Sequence, residues 1–156
     1  MKLNTGDKAP EFTLNNTEGE AVTLQDLKNS GGDTLLLFFP LAFSGVCTEE
    51  VCTLRDNMKL YNSLNATVAG ISVDSFFTLK EFKKANNLNF PLLSDFNKEV
   101  STNYGVLYED FFGMKGVSKR SAFIVNGNGL ITYAEVLDDS GKQPDFKAIQ
   151  NILMKK

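Results

Sequence analysis

The amino-acid sequence predicts an α/β domain in which helices flank a central mixed β-sheet on both faces. Apolar runs typical of buried strands alternate with segments whose apolar residues recur every three or four positions, as in amphipathic helices. Near the C-terminus, residues 126–129 read Asn-Gly-Asn-Gly between two apolar runs, a strong hairpin signal that places an antiparallel pair in the sheet. With 156 residues and no repeat or proline-rich linker, the chain is expected to form one domain over residues 1–156.

The N-terminal part of the chain is expected to form three strands and one long helix. Residues 12–14 and 21–24 alternate between apolar and polar around a turn at residues 17–20, which predicts two short strands. The apolar run at residues 34–39 predicts a buried strand. An amphipathic helix is predicted over residues 48–62, where apolar side chains fall at steps of three and four: Val51, Leu54, Met58 and Tyr61.

A second strand and helix follow in the middle of the chain. Residues 67–72 form another apolar run and are predicted to be a strand. Either Asp74 or Ser75 can cap the helix that follows, because short polar side chains accept hydrogen bonds from the first backbone N–H groups. This helix is expected to reach about residue 87, with three candidate core contacts: Phe77, Phe82 and Ala85.

The remaining elements complete the pattern. A short helix is predicted over residues 98–104, and strands over residues 122–125 and 130–136 flank the hairpin turn. A C-terminal helix is predicted over residues 145–154, buried through Phe146, Ile149, Ile152 and Leu153. A thioredoxin-like arrangement fits this order of strands and helices.

Composition excludes several classes of function. The net charge of −3 makes strong nucleic-acid binding unexpected, and no apolar run approaches the length that spans a membrane. The absence of histidine removes Ser-His-Asp and Cys-His catalysis, and two cysteines alone cannot fill the ligand shell of a zinc ion. The first residues show no apolar signal-peptide core, so a cytoplasmic location is expected.

The most informative segment is residues 40–47, which ends in one of the two cysteines. Cys47 follows a glycine-containing turn between the predicted strand and helix, where the helix dipole and free N–H groups favour a thiolate. Pro40 fixes the chain direction, Ser44 can turn its hydroxyl toward the same cavity, and Arg120 is the candidate cation at the start of a core strand. Taken singly, Cys47 could instead be an inert buried thiol, Ser44 a turn residue and Arg120 an exposed charge at the end of a strand.

At this point the sequence resembles a known family. Residues 38–48 are similar to the active-site loop of peroxiredoxins, whose pattern is Pro-x-x-x-Thr/Ser-x-x-Cys. Residues 6–12, 70–74, 90–95 and 120–125 resemble further segments of the family, in the same order along the chain. The resemblance therefore covers nearly the whole sequence.

The resemblance implies a thiol peroxidase that reduces hydrogen peroxide and alkyl hydroperoxides. Cys47 would be the peroxidatic cysteine and become a sulfenic acid. By the same resemblance, Ser44 would bind the peroxide and Arg120 would stabilise the thiolate and the developing oxygen charge. Pro40 would shield the sulfur from water, and Glu50 would orient the arginine.

The implied cycle needs no metal and no organic cofactor, because sulfur carries the redox chemistry. It needs a thiol reductant, expected to be thioredoxin or a glutaredoxin-like protein. A homodimer is the family expectation. Five phenylalanines could form an apolar wall suited to alkyl hydroperoxides, or could simply belong to the core: Phe43, Phe76, Phe77, Phe111 and Phe112.

The role of Cys52 decides the subclass. Its spacing from Cys47 resembles the Q-type, or bacterioferritin-comigratory, group, in which the second cysteine resolves the first. The Pro-Leu-Ala-Phe sequence of the loop also resembles the E-type alkyl hydroperoxidase group, many members of which use one cysteine. In an intact helix the two Cα atoms would lie about 8.6 Å apart, beyond the roughly 7 Å limit of a disulfide, so the helix is expected to unwind before they join. Three alternatives stay open: a one-cysteine enzyme using an external thiol, a thioredoxin-like disulfide reductase, and a redox-sensing binding protein.

Overall fold

A seven-stranded sheet organises the computed structural model, which describes residues 2–28 and 31–155. In chain order the elements are β1 (Thr13–Asn16), β2 (Ala21–Thr23), α1 (Leu24–Lys28), β3 (Thr34–Phe38), α2 (Gly45–Asp56), α3 (Met58–Ser63), β4 (Thr67–Ser72), α4 (Phe76–Ala85), β5 (Leu92–Ser94), α5 (Glu99–Asn103), β6 (Ser121–Val125), β7 (Ile131–Val136) and α6 (Phe146–Met154).

The sheet is mixed, as the sequence predicts. Its strand order is β2-β1-β5-β4-β3-β6-β7. Strands β3, β4 and β5 are parallel to one another, whereas β1 and β6 are antiparallel to the strands beside them. The predicted hairpin is confirmed, since β6 and β7 pair antiparallel and the N–H of Asn126 donates to the carbonyl of Leu130 at 2.9 Å.

Both faces of the sheet are covered, because the central strand β3 is buried along its whole length. Leu35 and Leu37 point to one core cluster, together with apolar residues of α2, α3, α4 and α6. Leu36 and Phe38 point to the other cluster, together with residues of α1 and α5. Alternating side chains of a strand face opposite sides, so this division confirms the predicted helices on both faces. Cys47 belongs to the first cluster.

The long helix predicted over residues 48–62 is in fact two helices. It begins earlier, at Gly45, and breaks at Asn57, which ends α2 and precedes α3. The Asn57 side chain donates to the carbonyl of Thr53 at 2.9 Å, and its N–H donates to Leu54 at 3.0 Å, so it competes with the regular helical hydrogen bonds. The predicted buried residues of both helices are confirmed as buried: Val51, Leu54, Met58 and Tyr61.

Helix α4 begins as predicted but buries a different face. Ser75 caps it by accepting a hydrogen bond from the N–H of Thr78, and Phe82 is buried. The prediction that Phe77 and Ala85 are core residues is wrong, because both are exposed. Five residues separate Phe77 from Phe82, which turns their side chains about 140° apart around the helix. Leu79, three residues from Phe82, is the buried partner instead.

The predicted strand over residues 21–24 also ends one residue early, because Leu24 begins α1. Thr23 and Asp26 form a reciprocal cap: the N–H of Asp26 donates to Thr23 Oγ1 at 3.0 Å, and the N–H of Thr23 donates to Asp26 Oδ2 at 2.9 Å. Strand β5 was not predicted and is only three residues long.

The C-terminal helix is confirmed. Asp145 caps α6, and Ile149 and Leu153 are fully buried, with Phe146 and Ile152 packed partly buried beside them. In the described ranges, no helix has the length and apolar character that crossing a membrane requires.

Candidate active site

Cys47 lies in the first turn of α2, directly behind the loop that leaves β3. Ser44 is the N-cap residue, with extended backbone angles, and its carbonyl accepts the N–H of Thr48 at 2.9 Å. The Cys47 side chain is fully buried, so its sulfur faces the protein rather than bulk water. The position at a strand-to-helix junction is the one that the sequence predicts.

Asp74 holds the loop before Cys47 in place. Its Oδ2 accepts the N–H of Ala42 at 2.8 Å and the hydroxyl of Ser72, at the end of β4, at 2.7 Å. Phe43 adopts a left-handed backbone conformation, with φ of 68°, and its ring packs on Phe82 of α4. The loop is therefore fixed to β4 and α4 on either side of its turn.

Arg120 reaches Cys47 because of the register of two antiparallel strands. It directly precedes β6, and Ser121 at the start of β6 pairs with Phe38 at the end of β3. The guanidinium donates from Nη2 to Cys47 Sγ at 3.3 Å and from Nη1 to Glu50 Oε1 at 2.5 Å. Three residues that are far apart in sequence thus form one buried cluster.

Burial alters the ionisation of this cluster. Burial raises the pKa of Glu50 to about 7, although the nearby Arg120 cation opposes the shift. Within the described ranges, Glu50 Oε2 and Arg120 Nε are buried without a hydrogen-bond partner. The guanidinium therefore lies between a buried carboxyl group and a sulfur atom, and its Nε–H is a buried donor without an acceptor in the described part of the chain.

The other predicted residues of this loop lie close by in the chain. Pro40 is buried and lies two residues beyond the end of β3. Ser44 is exposed, and its hydroxyl donates to the carbonyl of Leu41 at 2.9 Å. Its hydroxyl therefore has a backbone partner inside the loop.

Cys52 occupies the same continuous helix as Cys47, and both are free thiols. It is partly buried, and its Sγ contacts Asn86 Oδ1 at 3.6 Å, just past the end of α4. Arg55, which the sequence places beside Asp56 on a helix surface, pairs with Asp56 at 2.9 Å and also donates to the carbonyl of Asn86 at 2.7 Å.

The five phenylalanines proposed as an apolar wall fall into separate ring contacts. Phe43 packs on Phe82, whereas Phe76 stacks on Phe77 with centroids 4.1 Å apart. Phe111 packs edge-on against Phe112, whose side chain is exposed. These contacts describe three local pairs rather than one continuous wall.

Two contacts of the site were missed by sequence reasoning. Ser140 accepts a hydrogen bond from Arg120 Nη2 at 3.1 Å, and it does so through its backbone carbonyl, which no side-chain pattern reveals. Asp74 was considered only as a helix cap and as part of a family segment, yet it anchors the loop. Its position directly after an apolar strand was the available signal.

Comparison with known proteins identifies the family. The AhpC/TSA family matches residues 5–134 of the sequence. The chain belongs to the AhpC/TSA family.

Similar proteins carry peroxiredoxin names. The chain is 38% identical over 144 residues to alkyl hydroperoxide reductase E of Mycobacterium tuberculosis (strain ATCC 25618 / H37Rv), covering 91% of this chain and 88% of the relative. It is 38% identical over 135 residues to the putative peroxiredoxin bcp of Coxiella burnetii (strain RSA 493 / Nine Mile phase I), covering 85% of this chain and 87% of the relative. The crystal structure of peroxidoxin BcpB from Mycobacterium tuberculosis superposes with a TM-score of 0.87 at 27% identity, over 97% of this chain and 96% of that one.

These findings confirm the peroxiredoxin resemblance and the thioredoxin-like fold. They also confirm the predicted class of activity, since this AhpC/TSA member is a thiol peroxidase and hence an oxidoreductase. Among residues 2–28 and 31–155, no group of three histidine, cysteine or carboxylate side chains could hold a metal ion.

Proposed function

We propose that Cys47 is the peroxidatic cysteine of this thiol peroxidase and that it reduces hydrogen peroxide and alkyl hydroperoxides. The observation that carries the proposal is the hydrogen bond from Arg120 Nη2 to Cys47 Sγ at 3.3 Å, in the buried first turn of α2. A guanidinium that donates to sulfur favours the thiolate, and the thiolate is the nucleophile. The helix N-terminus adds to this effect.

The first step is attack on the peroxide. The Cys47 thiolate forms a bond to one peroxide oxygen while the O–O bond breaks, and the leaving oxygen takes up a proton as water or an alcohol. Sulfur is oxidised to sulfenic acid and the peroxide is reduced. Charge develops on oxygen during this step, and the unpaired Nε–H of Arg120 is a buried donor for it.

The remaining residues of the proposed site position these reactants. Glu50 orients Arg120 through its hydrogen bond to Nη1. Ser44 binds the peroxide when its hydroxyl turns away from the Leu41 carbonyl. Pro40, buried two residues beyond the end of β3, limits the access of water to the sulfur.

Cys52 is proposed to resolve the sulfenic acid. Its sulfur attacks Cys47 sulfur, the S–O bond breaks, and the products are an intramolecular disulfide and one molecule of water. A dithiol reductant of the thioredoxin or glutaredoxin-like type then reduces this disulfide by thiol–disulfide exchange. The reductant becomes a disulfide, and both thiols of the enzyme are restored. No metal or organic cofactor takes part in this cycle.

A one-cysteine mechanism is the second candidate, and one observation favours it. Helix α2 is continuous from Gly45 to Asp56, so the structure keeps both thiols in a geometry that forbids a disulfide. In that case an external thiol would reduce the sulfenic acid directly.

The experiment that tests the proposal is intact mass and free-thiol count after reduced protein meets one equivalent of hydrogen peroxide. The expected result is a loss of about two mass units with both thiols gone and no cross-linked dimer, as two thiols become one disulfide. A gain of about sixteen or thirty-two units with Cys52 still free would support the one-cysteine mechanism. The Cys47→Ser variant should show no mass change, and an unchanged mass in the wild type would contradict the peroxidase assignment of Cys47.

The setting of the enzyme is also a proposal. Because the cycle needs a supply of thiol reductant, a reducing compartment such as the cytoplasm suits it. A homodimer is proposed from the family, and sedimentation of the reduced protein would test it. A single species of monomer mass at all concentrations would contradict the dimer.

A further inference from the structure

The helix that carries both cysteines has to open if Cys52 is to resolve Cys47. In an intact helix their Cα atoms are about 8.6 Å apart, beyond the roughly 7 Å that a disulfide tolerates. What holds α2 closed near Cys52 therefore controls the second step of the cycle. This inference rests on the proposed resolving role of Cys52.

Asn86 contacts α2 at two points. Cys52 Sγ lies 3.6 Å from Asn86 Oδ1, and Arg55 Nη1 donates to the Asn86 carbonyl at 2.7 Å. A third tie runs in the opposite direction, from Asn89 Nδ2 to the carbonyl of Arg55 at 3.3 Å. One turn of α2 is thus joined to the chain segment that follows α4.

Asn86 is itself held firmly. Its Nδ2 donates to the carbonyl of Phe82 at 3.0 Å, and its backbone N–H donates to the same carbonyl at 3.2 Å. Phe82 is fully buried against Phe39 and Phe43. The contacts with α2 are therefore anchored to the core and not to a free side chain.

The chemistry of the Cys52 contact gives it a second effect. An amide oxygen is only an acceptor, so the Cys52 thiol must donate the hydrogen bond to Asn86 Oδ1. The sulfur that has to attack Cys47 is therefore held by Asn86 while the helix is closed. When the contact breaks, the Cys52 sulfur loses this constraint.

We propose that Asn86 and Arg55 form a latch that holds the Cys52 turn of α2 closed, and that release of this latch limits disulfide formation. The step that follows release joins the two sulfurs, breaks the S–O bond of Cys47 and yields water. While the latch is closed, a second peroxide molecule can oxidise the Cys47 sulfenic acid to the sulfinic acid.

The test compares two variants with wild type in rapid-mixing experiments with hydrogen peroxide: Asn86→Ala removes the Cys52 contact, and Arg55→Met removes the hydrogen bond to the Asn86 carbonyl. Oxidation of Cys47, followed by trapping the sulfenic acid, is expected to keep the same rate, because the latch does not touch Cys47. Disulfide formation is expected to be roughly threefold to tenfold faster, as lost hydrogen bonds of this kind change equilibria by such factors. The sulfinic acid fraction under excess peroxide should fall in proportion.

The matched control is Asn62→Ala, which removes an exposed asparagine side chain from α3. It should leave both rates unchanged. Disulfide rates equal to wild type in both Asn86→Ala and Arg55→Met would overturn the latch, and so would variants that change Cys47 oxidation as much as disulfide formation.

A second measurement does not depend on catalysis. Arg55→Met and Asn86→Ala should each raise the hydrogen-exchange rate of α2 amides around Cys52 in the reduced protein, and unchanged exchange in both would overturn the latch. If wild type oxidises Cys47 but never forms the disulfide, the resolving role of Cys52 fails and the latch fails with it. If the disulfide forms at rates that neither substitution changes, the latch alone fails.

Discussion

At the scale of single residues, Arg120 determines the electrostatics of the site. Only 2% of its surface is exposed, and its planar group donates to a sulfur, a carboxylate and a backbone carbonyl at once. A guanidinium can make such divergent bonds because its donors point in fixed directions, whereas a lysine ammonium is a single point charge. The charge and the geometry of this residue can therefore be separated by substitution.

Arg120→Lys keeps the charge and loses the geometry. We expect the second-order rate of Cys47 oxidation by hydrogen peroxide to fall roughly 100-fold, the scale seen when one donor to a developing oxyanion is removed. Stopped-flow kinetics at neutral pH measures this rate. The control is Lys119→Met, which removes the neighbouring lysine that pairs with exposed Asp138. Full activity of Arg120→Lys would show that charge alone is sufficient.

Glu50 makes the stability of the protein depend on pH. Its carboxyl group has a pKa of about 7 in the folded protein, raised by burial from an ordinary value of 4.5. Between these two values the folded state binds more protons than the unfolded state, so the free energy of unfolding falls as pH rises. The contribution is complete below about pH 4.5 and lost above about pH 7, with a slope of at most about 1.4 kcal/mol per pH unit.

Glu50→Gln removes this titration. Urea unfolding of wild type and variant at several pH values should show a difference in free energy that changes between pH 5 and 7 and levels off above that range. The sign follows from the raised pKa: the wild type loses stability relative to the variant as pH rises. Parallel curves over the whole range would mean that Glu50 does not titrate there.

At the scale of elements, the proposed cycle gives helix α2 two tasks that conflict. Its first turn holds Cys47 against Arg120, which requires an intact helix. The second proposed task, presenting Cys52 to Cys47, requires the same helix to open, because an intact helix keeps the two Cα atoms too far apart for a disulfide. The structure shows the closed arrangement, with both cysteines as free thiols.

Formation of the disulfide should therefore lower the helical content of the protein. The six residues from Cys47 to Cys52 span roughly one and a half to two turns, and we expect the far-UV circular dichroism of the disulfide form to lose about that much helical signal. Cys52→Ser, oxidised in the same way, should keep the reduced spectrum. Identical spectra for reduced and disulfide-bonded wild type would contradict the unwinding.

The helices also show where sequence patterns succeed and fail. A local signal located the start of α4, because Ser75 caps it through its own side chain, whereas α6 was located by its apolar spacing. The break at Asn57 was missed, because an apolar spacing of three and four continues across it from Leu54 to Met58. Periodicity reports which face is buried and is blind to a one-residue interruption that preserves that face.

At the scale of the whole molecule, the sheet topology assembles the site. Cys47 follows β3 and Arg120 precedes β6, and the antiparallel pairing of these central strands brings the two residues together across 73 positions of sequence. Cys47 and Arg120 could be predicted because each occupies a recognisable strand end. The Ser140 and Asn86 contacts with arginines could not, because both acceptors are backbone carbonyls whose position depends on the completed fold.

The core cluster that contains Cys47 also contains Phe82, whose ring connects helix α4 to the segment between β3 and Cys47. The ring is fully buried, with centroids 6.0 Å from Phe39 at the end of β3 and 5.1 Å from Phe43 in the loop before Cys47. Phe77 lies on the same helix, is 69% exposed and stacks on Phe76. Phe82 and Phe77 are thus two phenylalanines on one helix, one buried and one exposed, although the sequence predicts both as core contacts.

Phe82→Ala should lower the free energy of unfolding by about 3–5 kcal/mol, because it leaves a cavity in the core that Cys47 shares. Phe77→Ala should cost about 1 kcal/mol or less, since it removes one stacked contact at the surface. Urea unfolding of both variants under the same conditions measures the difference directly. Equal losses would mean that α4 presents its other face to the sheet, and the packing of Phe43 on Phe82 would then be wrong as well.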